Sequence, residues 1–224
     1  WEEILADHVA FFRKLSEEEK QRFRNELQIF IRDKRITGIK TEVDETTRVL
    51  AASSAIIPIF GFKKWEWNQI KEILVYPMRF KEDFEMGDGA GHSTLGMVGS
   101  GAMNGVMILS KPDLLSGFKN PRDRRNVGIH EFAHLVDKAD GVIDGVPGVG
   151  LERQAIKPWL ELIRKEMKQI RSGRSDIDPY GLTNEAEFFA VVSEYFFERP
   201  DRLQRDHPEL YGMLEKIFQQ KRHK

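Results

Sequence analysis

The chain has 224 residues, no cysteine and a formal net charge of -1, with 35 lysines and arginines against 36 aspartates and glutamates. The lack of cysteine excludes thiol catalysis, thiolate ligands and disulfides, so any metal must be bound by histidine, carboxylate or water. The balanced charge provides no field that would concentrate nucleic acid or anionic lipid, so we expect no direct nucleic-acid partner.

No segment of the sequence predicts a membrane span. The longest apolar stretch, residues 49–62, is too short for a bilayer and contains Ser53 and Ser54, so it predicts a buried helix. The sequence begins at Trp1 rather than Met, so any targeting segment or anchor that the full protein has would lie upstream. We expect the chain from Trp1 onward to be cytoplasmic and to contact no membrane.

The N-terminal part of the chain is expected to be helical. Apolar residues recur at helical spacing through residues 1–35, and Ser16 and Glu19 have the spacing of a capping box. An alanine-rich helix is expected at residues 45–57. It should end before Pro58, because a residue that precedes proline disfavours the helical conformation.

The middle of the chain predicts strands, and its C-terminal part predicts helices. Short apolar segments lie between glycine-rich turns at residues 73–76, 94–98 and 106–109. They predict a small mixed or antiparallel sheet of hairpins, and the run at residues 87–105 lacks the Lys-Ser/Thr ending of a phosphate loop. Helices are expected at residues 123–139, 153–172, 183–198 and 208–220. This order indicates an α+β fold, with a helical segment at 1–65 packed on a domain at 66–224, or one continuous domain, 1–224.

A His-Glu-x-x-His motif at His130, Glu131 and His134 predicts a metal site. On a helix, residues i and i+4 share a face, so two imidazole nitrogens can reach one ion. Glu131 can then reach a water on that ion without binding the metal itself. The alternative is a pair of ordinary helix histidines, since the motif also arises by chance.

A catalytic zinc takes three protein ligands, so the motif requires a further one. Asp140 has the spacing of the third ligand of a metzincin, but Asp137 occupies the position where that class needs glycine. A metzincin is therefore disfavoured. The remaining histidines are expected at the surface; they are His8, His92, His207 and His223.

Two glutamates in the helix predicted at residues 183–198 are better candidates for the third ligand. Glu187 and Glu194 are seven residues apart and share a face among apolar residues, where a carboxylate needs a partner or a metal. Spacing alone does not choose between them. A purely structural zinc site is disfavoured, because it would leave Glu131 and an open coordination position without a role.

Three ordered blocks carry more information than the motif alone. They are residues 126–137 (NVGIHEFAHLVD), 144–147 (DGVP) and 185–197 (EAEFFAVVSEYFF). Together they resemble the Mlc titration factor A family of zinc peptidases, which is similar in its catalytic core to the protease domain of anthrax lethal factor. The resemblance implies a zincin-like metallopeptidase with one zinc ion per chain, acting on peptide or protein substrates as an aminopeptidase, with endopeptidase action left open.

The resemblance also implies roles for single residues. In both groups the third zinc ligand is a glutamate on a later helix, and a tyrosine seven residues before it faces the reacting carbonyl; in this chain these are Glu187 and Tyr180. Glu194 then contacts a ligand side chain without binding the metal, or is a buried helix acid. Asp137 orients a ligand or ties its helix to a neighbour. The family's namesake associates with a transcriptional repressor, so the competing hypothesis is a regulatory protein that sequesters such a repressor.

The implied reaction is hydrolysis of a peptide bond. Zinc polarises the scissile carbonyl and acidifies its bound water, while Glu131 accepts a proton from that water and passes it to the leaving amine. Tyr180 would hydrogen-bond the developing oxyanion. We expect the substrate to lie extended along an exposed edge strand, for which residues 106–109 are the candidate because they come just before the helix of the motif.

Overall fold

The computed structural model describes residues 1–78, 96–98, 105–120 and 122–220, which combine helices with a four-stranded sheet. The helices are α1 (Glu2–His8), α2 (Ala10–Arg13), α3 (Glu17–Asp33), α4 (Glu45–Ile59), α5 (Lys111–Lys119), α6 (Val127–Asp137), α7 (Ile156–Arg171), α8 (Glu185–Glu198), α9 (Pro200–Asp206) and α10 (Pro208–Phe218). The strands are β1 (Arg35–Gly38), β2 (Glu72–Tyr76), β3 (Gly96–Val98) and β4 (Val106–Ser110). The predicted combination of a helix-rich chain with a small sheet is confirmed.

The sheet is mixed and has the strand order β1-β2-β4-β3. β2 is parallel to both of its neighbours, with Ile73 opposite Ile36 of β1 and Met107 of β4, whereas β3 is antiparallel to β4. The expected hairpin arrangement is therefore wrong for β2, which is parallel to β4, whereas the antiparallel pairing of β3 with β4 agrees with it. Parallel neighbours need a crossover rather than a tight turn, and α4 lies in the crossover between β1 and β2.

The strand predicted to bind substrate, at residues 106–109, is not an edge strand. It forms β4, which is paired on both sides and buried at every residue after Val106. A strand with two hydrogen-bonded neighbours has no free backbone groups for a peptide. Among the described residues, β3 is instead the edge strand on this side of the sheet, and α6 packs close to it.

Helix α4 is buried on all sides, as residues 49–62 predict. Each residue from 49 to 59 is buried. Gly128 of α6 lies so close to α4 that a Cβ atom added to this glycine would come within 2.0 Å of Oγ of Ser54. The predicted end before Pro58 is wrong, because the helix continues to Ile59. Proline in the last turn removes only one backbone hydrogen bond, and the packing of this turn outweighs that loss.

The N-terminal helices pack on the rest of the chain through aromatic rings. The predicted capping box of α3 is present, with Ser16 and Glu19 each bonded to the other's backbone nitrogen. The ring centroids of Phe11 and Phe197 are 6.3 Å apart, and those of Phe30 and Phe132 are 5.9 Å apart. The division of the chain at residue 65 stays a prediction. β1, a strand that the sequence did not indicate, precedes this boundary and pairs with β2, which follows it.

Some predictions fall on residues 79–95, 99–104, 121 and 221–224, outside the described residues. They include most of the glycine-rich run at 87–105, the start of the strand at 94–98, and the placement of His92 and His223. Within the described part of the chain, no helix is both long enough and apolar enough to cross a membrane.

Candidate metal centre

Helices α6 and α8 pack together and carry the candidate ligands. Asn126 begins α6 by accepting a hydrogen bond from the backbone nitrogen of Ile129 (3.1 Å), which places His130 and His134 on one face. Asn184 begins α8 in the same way by accepting from the backbone nitrogen of Glu187 (2.8 Å). Both helix starts are fixed by side-chain caps, so the candidate ligands stand on defined turns.

The carboxylate of Glu187 lies between the two imidazoles of the motif. Its Oε2 is 3.0 Å from Nε2 of His130, and its Oε1 is 3.4 Å from Nε2 of His134. In the described part of the chain, these three residues form a group whose donor atoms all lie within 4.8 Å of one another. Two imidazole nitrogens and a carboxylate are a donor set that a hydrolytic zinc takes, so the cluster fits a metal ion.

The protonation of the cluster follows from these contacts. Burial favours the neutral forms of His130 and Glu187, but the hydrogen bonds of each residue to its charged partners outweigh the effect of burial. The pKa of Glu187 is held well below its ordinary value by His130 and His134. The pKa of His130 is raised well above its ordinary value by Glu187 and Glu194. A proton and a metal ion compete for the ring of His130, since only the unprotonated nitrogen can be a ligand.

Metal binding is therefore expected to tighten as pH rises. The raised pKa of His130 keeps its proton bound above the ordinary histidine value of about 6.5, and the metal must displace that proton. Competition titrations with a chromophoric chelator at several pH values measure the affinity. Glu194→Gln removes one of the carboxylates that raise this pKa, so it should move the pH dependence to lower pH. A wild-type affinity that does not change with pH would contradict the expectation.

Glu194 contacts the opposite side of His130 from Glu187. Its Oε1 is 2.8 Å from Nδ1 of His130, and its Oε2 accepts a hydrogen bond from the backbone nitrogen of Asn126. Outer partners of this kind fix the orientation of a ligand histidine. The geometry separates the two candidate glutamates, because Glu187 reaches both imidazoles and Glu194 reaches only one.

Glu131 and Tyr180 lie beside the candidate ligands. Glu131 is 5% exposed, and burial raises its pKa against the opposing effect of the two histidines. Tyr180 stands on the 3-10 turn Pro179–Leu182, with its ring centroid 6.0 Å from that of His130. It is 44% exposed, so part of its ring faces solvent beside the cluster.

Asp137 ties the end of α6 to the loop that follows, one of its two expected roles. Its Oδ2 accepts a hydrogen bond from the backbone nitrogen of Gly145 (2.8 Å), and the carbonyl oxygen of Gly145 accepts one from Nε1 of Trp159 (2.6 Å). Burial raises the pKa of Asp137 to about 6. Asp140, which has the metzincin spacing, is exposed and accepts from the backbone nitrogen of Val142 (3.1 Å) outside the cluster.

The expectation that His207 lies at the surface is wrong, whereas His8 is exposed as predicted. The side chain of His207 is 9% exposed, with Nδ1 2.9 Å from Glu166 and Nε2 2.9 Å from Asp176. Both acids are distant in sequence, so no local pattern could reveal these contacts.

Comparison with known proteins finds a metallopeptidase family model that matches almost the whole chain. A family model described as "Glucose-regulated metallo-peptidase M90" matches residues 1–219. An uncharacterized protein of Synechocystis sp. is 33% identical over 229 residues, which cover 97% of this chain and 82% of that protein. Mlc titration factor A of Pectobacterium atrosepticum is 28% identical (98% of this chain, 85% of that protein), and that of Cronobacter sakazakii is 29% identical (94% and 82%).

Proposed function

Because the chain belongs to the glucose-regulated metallo-peptidase M90 family, we propose that it is a zinc-dependent peptidase whose metal is held by His130, His134 and Glu187. The observation that carries this proposal is the position of the Glu187 carboxylate between two imidazoles one helical turn apart. In this proposal the chain has a zincin-like metallopeptidase fold with α6 as its active-site helix, and the pairing of β1 with β2 favours one continuous domain, 1–224, over a division at residue 65.

The reaction is hydrolysis of a peptide bond by water. Zinc, when bound, supplies Lewis-acid polarisation of the scissile carbonyl and lowers the pKa of water. Glu131 takes the proton of the attacking water and delivers it to the leaving amine. Its burial supports this role. Burial raises the pKa of Glu131, and this brings the pKa closer to the value that suits a general base near neutral pH.

Tyr180 is proposed to donate a hydrogen bond to the oxyanion that develops on the substrate. Its ring centroid is 6.0 Å from that of His130 and the residue is 44% exposed, which supports contact with a substrate bound beside the cluster. Donors of this type contribute about 3–4 kcal/mol to transition-state stabilisation. Glu194 contacts Nδ1 of His130, on the side of the ring opposite Glu187, and this contact supports a positioning role rather than ligation.

The substrate is proposed to bind in extended form along β3. In the described part of the sheet this strand lies at an edge and packs close to α6, so a peptide paired with it would run beside the proposed metal ligands. Aminopeptidase-type action on short peptides belongs to the same proposal. Peptides with free and with acetylated N-termini distinguish it from endopeptidase action, because an aminopeptidase cleaves only the former.

Removal of the metal is expected to abolish hydrolysis, and zinc should restore it. The test incubates the purified protein with a chelator, removes the chelator, and measures cleavage of a peptide panel before and after zinc is added. Elemental analysis of the same samples measures the metal content. Undiminished cleavage by protein that contains no metal would contradict the proposal.

A second candidate function is binding of a transcriptional repressor, with peptidase activity secondary. It is favoured by the name of two relatives, Mlc titration factor A. A variant that lacks Glu131 separates the candidates, since it loses the proposed general base and keeps the surfaces that would bind a repressor.

A further inference from the structure

Two ion pairs fasten the segment before Tyr180 to the segment before α6. Nη1 of Arg124 is 2.9 Å from Oδ2 of Asp176, and Nη2 of Arg125 is 3.0 Å from Oδ2 of Asp178. The arginines directly precede the cap residue of α6, and the aspartates lie four and two residues before Tyr180. Both paired segments therefore lead into elements of the candidate site.

Asp178 joins the two segments with a single carboxylate. Its Oδ2 accepts hydrogen bonds from Nε (3.2 Å) and Nη2 (3.0 Å) of Arg125, and its Oδ1 accepts one from the backbone nitrogen of Tyr180 (3.0 Å). A charged pair with two hydrogen bonds fixes orientation as well as distance. Asp178 thus sets the backbone of Tyr180 relative to the start of α6.

Asp176 contacts the side chains of four residues, Arg124 among them. Its Oδ2 accepts from the hydroxyl of Tyr195 (2.7 Å), pairs with Nη2 of Arg202 (2.8 Å), and binds Arg124. Its Oδ1 is 2.9 Å from Nε2 of His207. Burial favours the neutral acid, but hydrogen bonds from Tyr195 and His207 outweigh it and lower the pKa of Asp176. The segment before Tyr180 is thereby anchored to α8 and to both ends of α9.

Arg124 has a strained backbone. Its φ of 65° lies in the left-handed region, which residues other than glycine rarely adopt. Its guanidinium stacks over the ring of Tyr195, 4.9 Å from the centroid, and also binds the carbonyl oxygen of Asp176. Such strain persists where the surroundings determine a conformation strongly, and it is common at functional sites.

We propose that Asp176 and Asp178 are positioning residues, which hold Tyr180 in place over His130 through their contacts with Arg124 and Arg125. This inference rests on the proposed function, in which Tyr180 binds the oxyanion. Tyr180 stands on a four-residue turn and its backbone nitrogen donates to Asp178 (3.0 Å), so these aspartates fix the backbone from which its side chain extends.

The test is a double-mutant cycle with Tyr180. Asp176→Asn and Asp178→Asn are each made in the wild type and in Tyr180→Phe, and kcat and KM are measured for one peptide. Each aspartate variant is expected to lower kcat about 10- to 100-fold in the wild type, because small misplacements of a reacting group have effects of this size. KM should stay nearly unchanged. In Tyr180→Phe the same substitutions should have little further effect, since they act through the hydroxyl that is already missing.

Arg125→Gln tests the same contact from the other side with little risk to folding. Its side chain is 75% exposed, so the substitution buries no unpaired group, and kcat should fall as for Asp178→Asn. The matched control is Asp201→Asn, which removes an exposed acid paired with Arg199 (3.6 Å) and should leave kcat unchanged. Equal losses of kcat with and without the Tyr180 hydroxyl would show a general structural role and overturn the inference.

Hydrogen exchange separates this inference from the proposed function. Asp176→Asn should speed amide exchange in residues 175–182 while exchange in α8 stays slow, whether or not the protein hydrolyses peptides. Loss of the proposed function would appear as a wild type without peptidase activity. Unchanged exchange in residues 175–182 would overturn the inference alone.

Discussion

Glu187→Ala is expected to lose the metal, whereas Glu194→Ala keeps most of it. Glu187 is the residue whose two carboxylate oxygens face the two imidazoles, at 3.0 and 3.4 Å, so its removal leaves two of the three donors. Glu194 reaches only Nδ1 of His130, at 2.8 Å, and loss of an outer partner costs about 10- to 100-fold in affinity. The loss for Glu187→Ala should be larger than this range.

The measurement is elemental analysis after dialysis against buffer with a defined free zinc concentration. Glu185→Ala is the matched control, because Glu185 is an exposed acid on the first turn of the same helix and should retain all zinc. Thermal unfolding of each variant with and without zinc reports the same binding, since a ligand that binds only the folded state stabilises it. Loss of zinc in Glu194→Ala but not in Glu187→Ala would reverse the assignment of the third ligand.

The sequence could predict the cluster up to this choice. The spacing of His130 and His134 places them on one helical face, and the apolar neighbours of Glu187 and Glu194 require a partner for each acid. The periodicity of apolar residues shows which face of a helix is buried. It does not show which turn of that helix lies opposite a given turn of its neighbour. In the structure the two acids lie on opposite sides of His130, and only the packing of α8 on α6 decides which side also contains His134.

The parts of the fold that the sequence did not predict depend on contacts between distant residues. The apolar pattern of β4 is the same for a parallel or an antiparallel neighbour, so it could not show that β4 lies inside the sheet. β1 has only four residues and follows α3 without a turn signal. The pairs of Arg124 with Asp176 and of Arg125 with Asp178 span 52 and 53 residues, and surface charges have no period that would reveal them.

Glu131→Gln is expected to abolish most of the hydrolysis while the protein keeps its metal. The amide has nearly the shape of the carboxylate but cannot accept the proton of the attacking water, and general acid–base groups contribute about 10²- to 10⁴-fold to the rate. Glu131 does not belong to the cluster of His130, His134 and Glu187, so zinc content should match the wild type. KM should change little, because the lost interaction is made in the transition state.

The same variant weighs the peptidase against the repressor-binding function. Glu131 is 5% exposed, so replacing it leaves the outer surface of the protein as it was. Glutamine has nearly the shape of this acid and carries no charge, and burial, which raises the pKa of Glu131, does not disfavour a neutral side chain; the variant is therefore expected to fold. A well-folded, zinc-loaded variant with wild-type peptidase activity would refute the mechanism. An inactive variant that still binds a repressor would show that binding does not depend on catalysis. If neither the wild type nor the variant binds a repressor, hydrolysis is left as the function that the cluster supports.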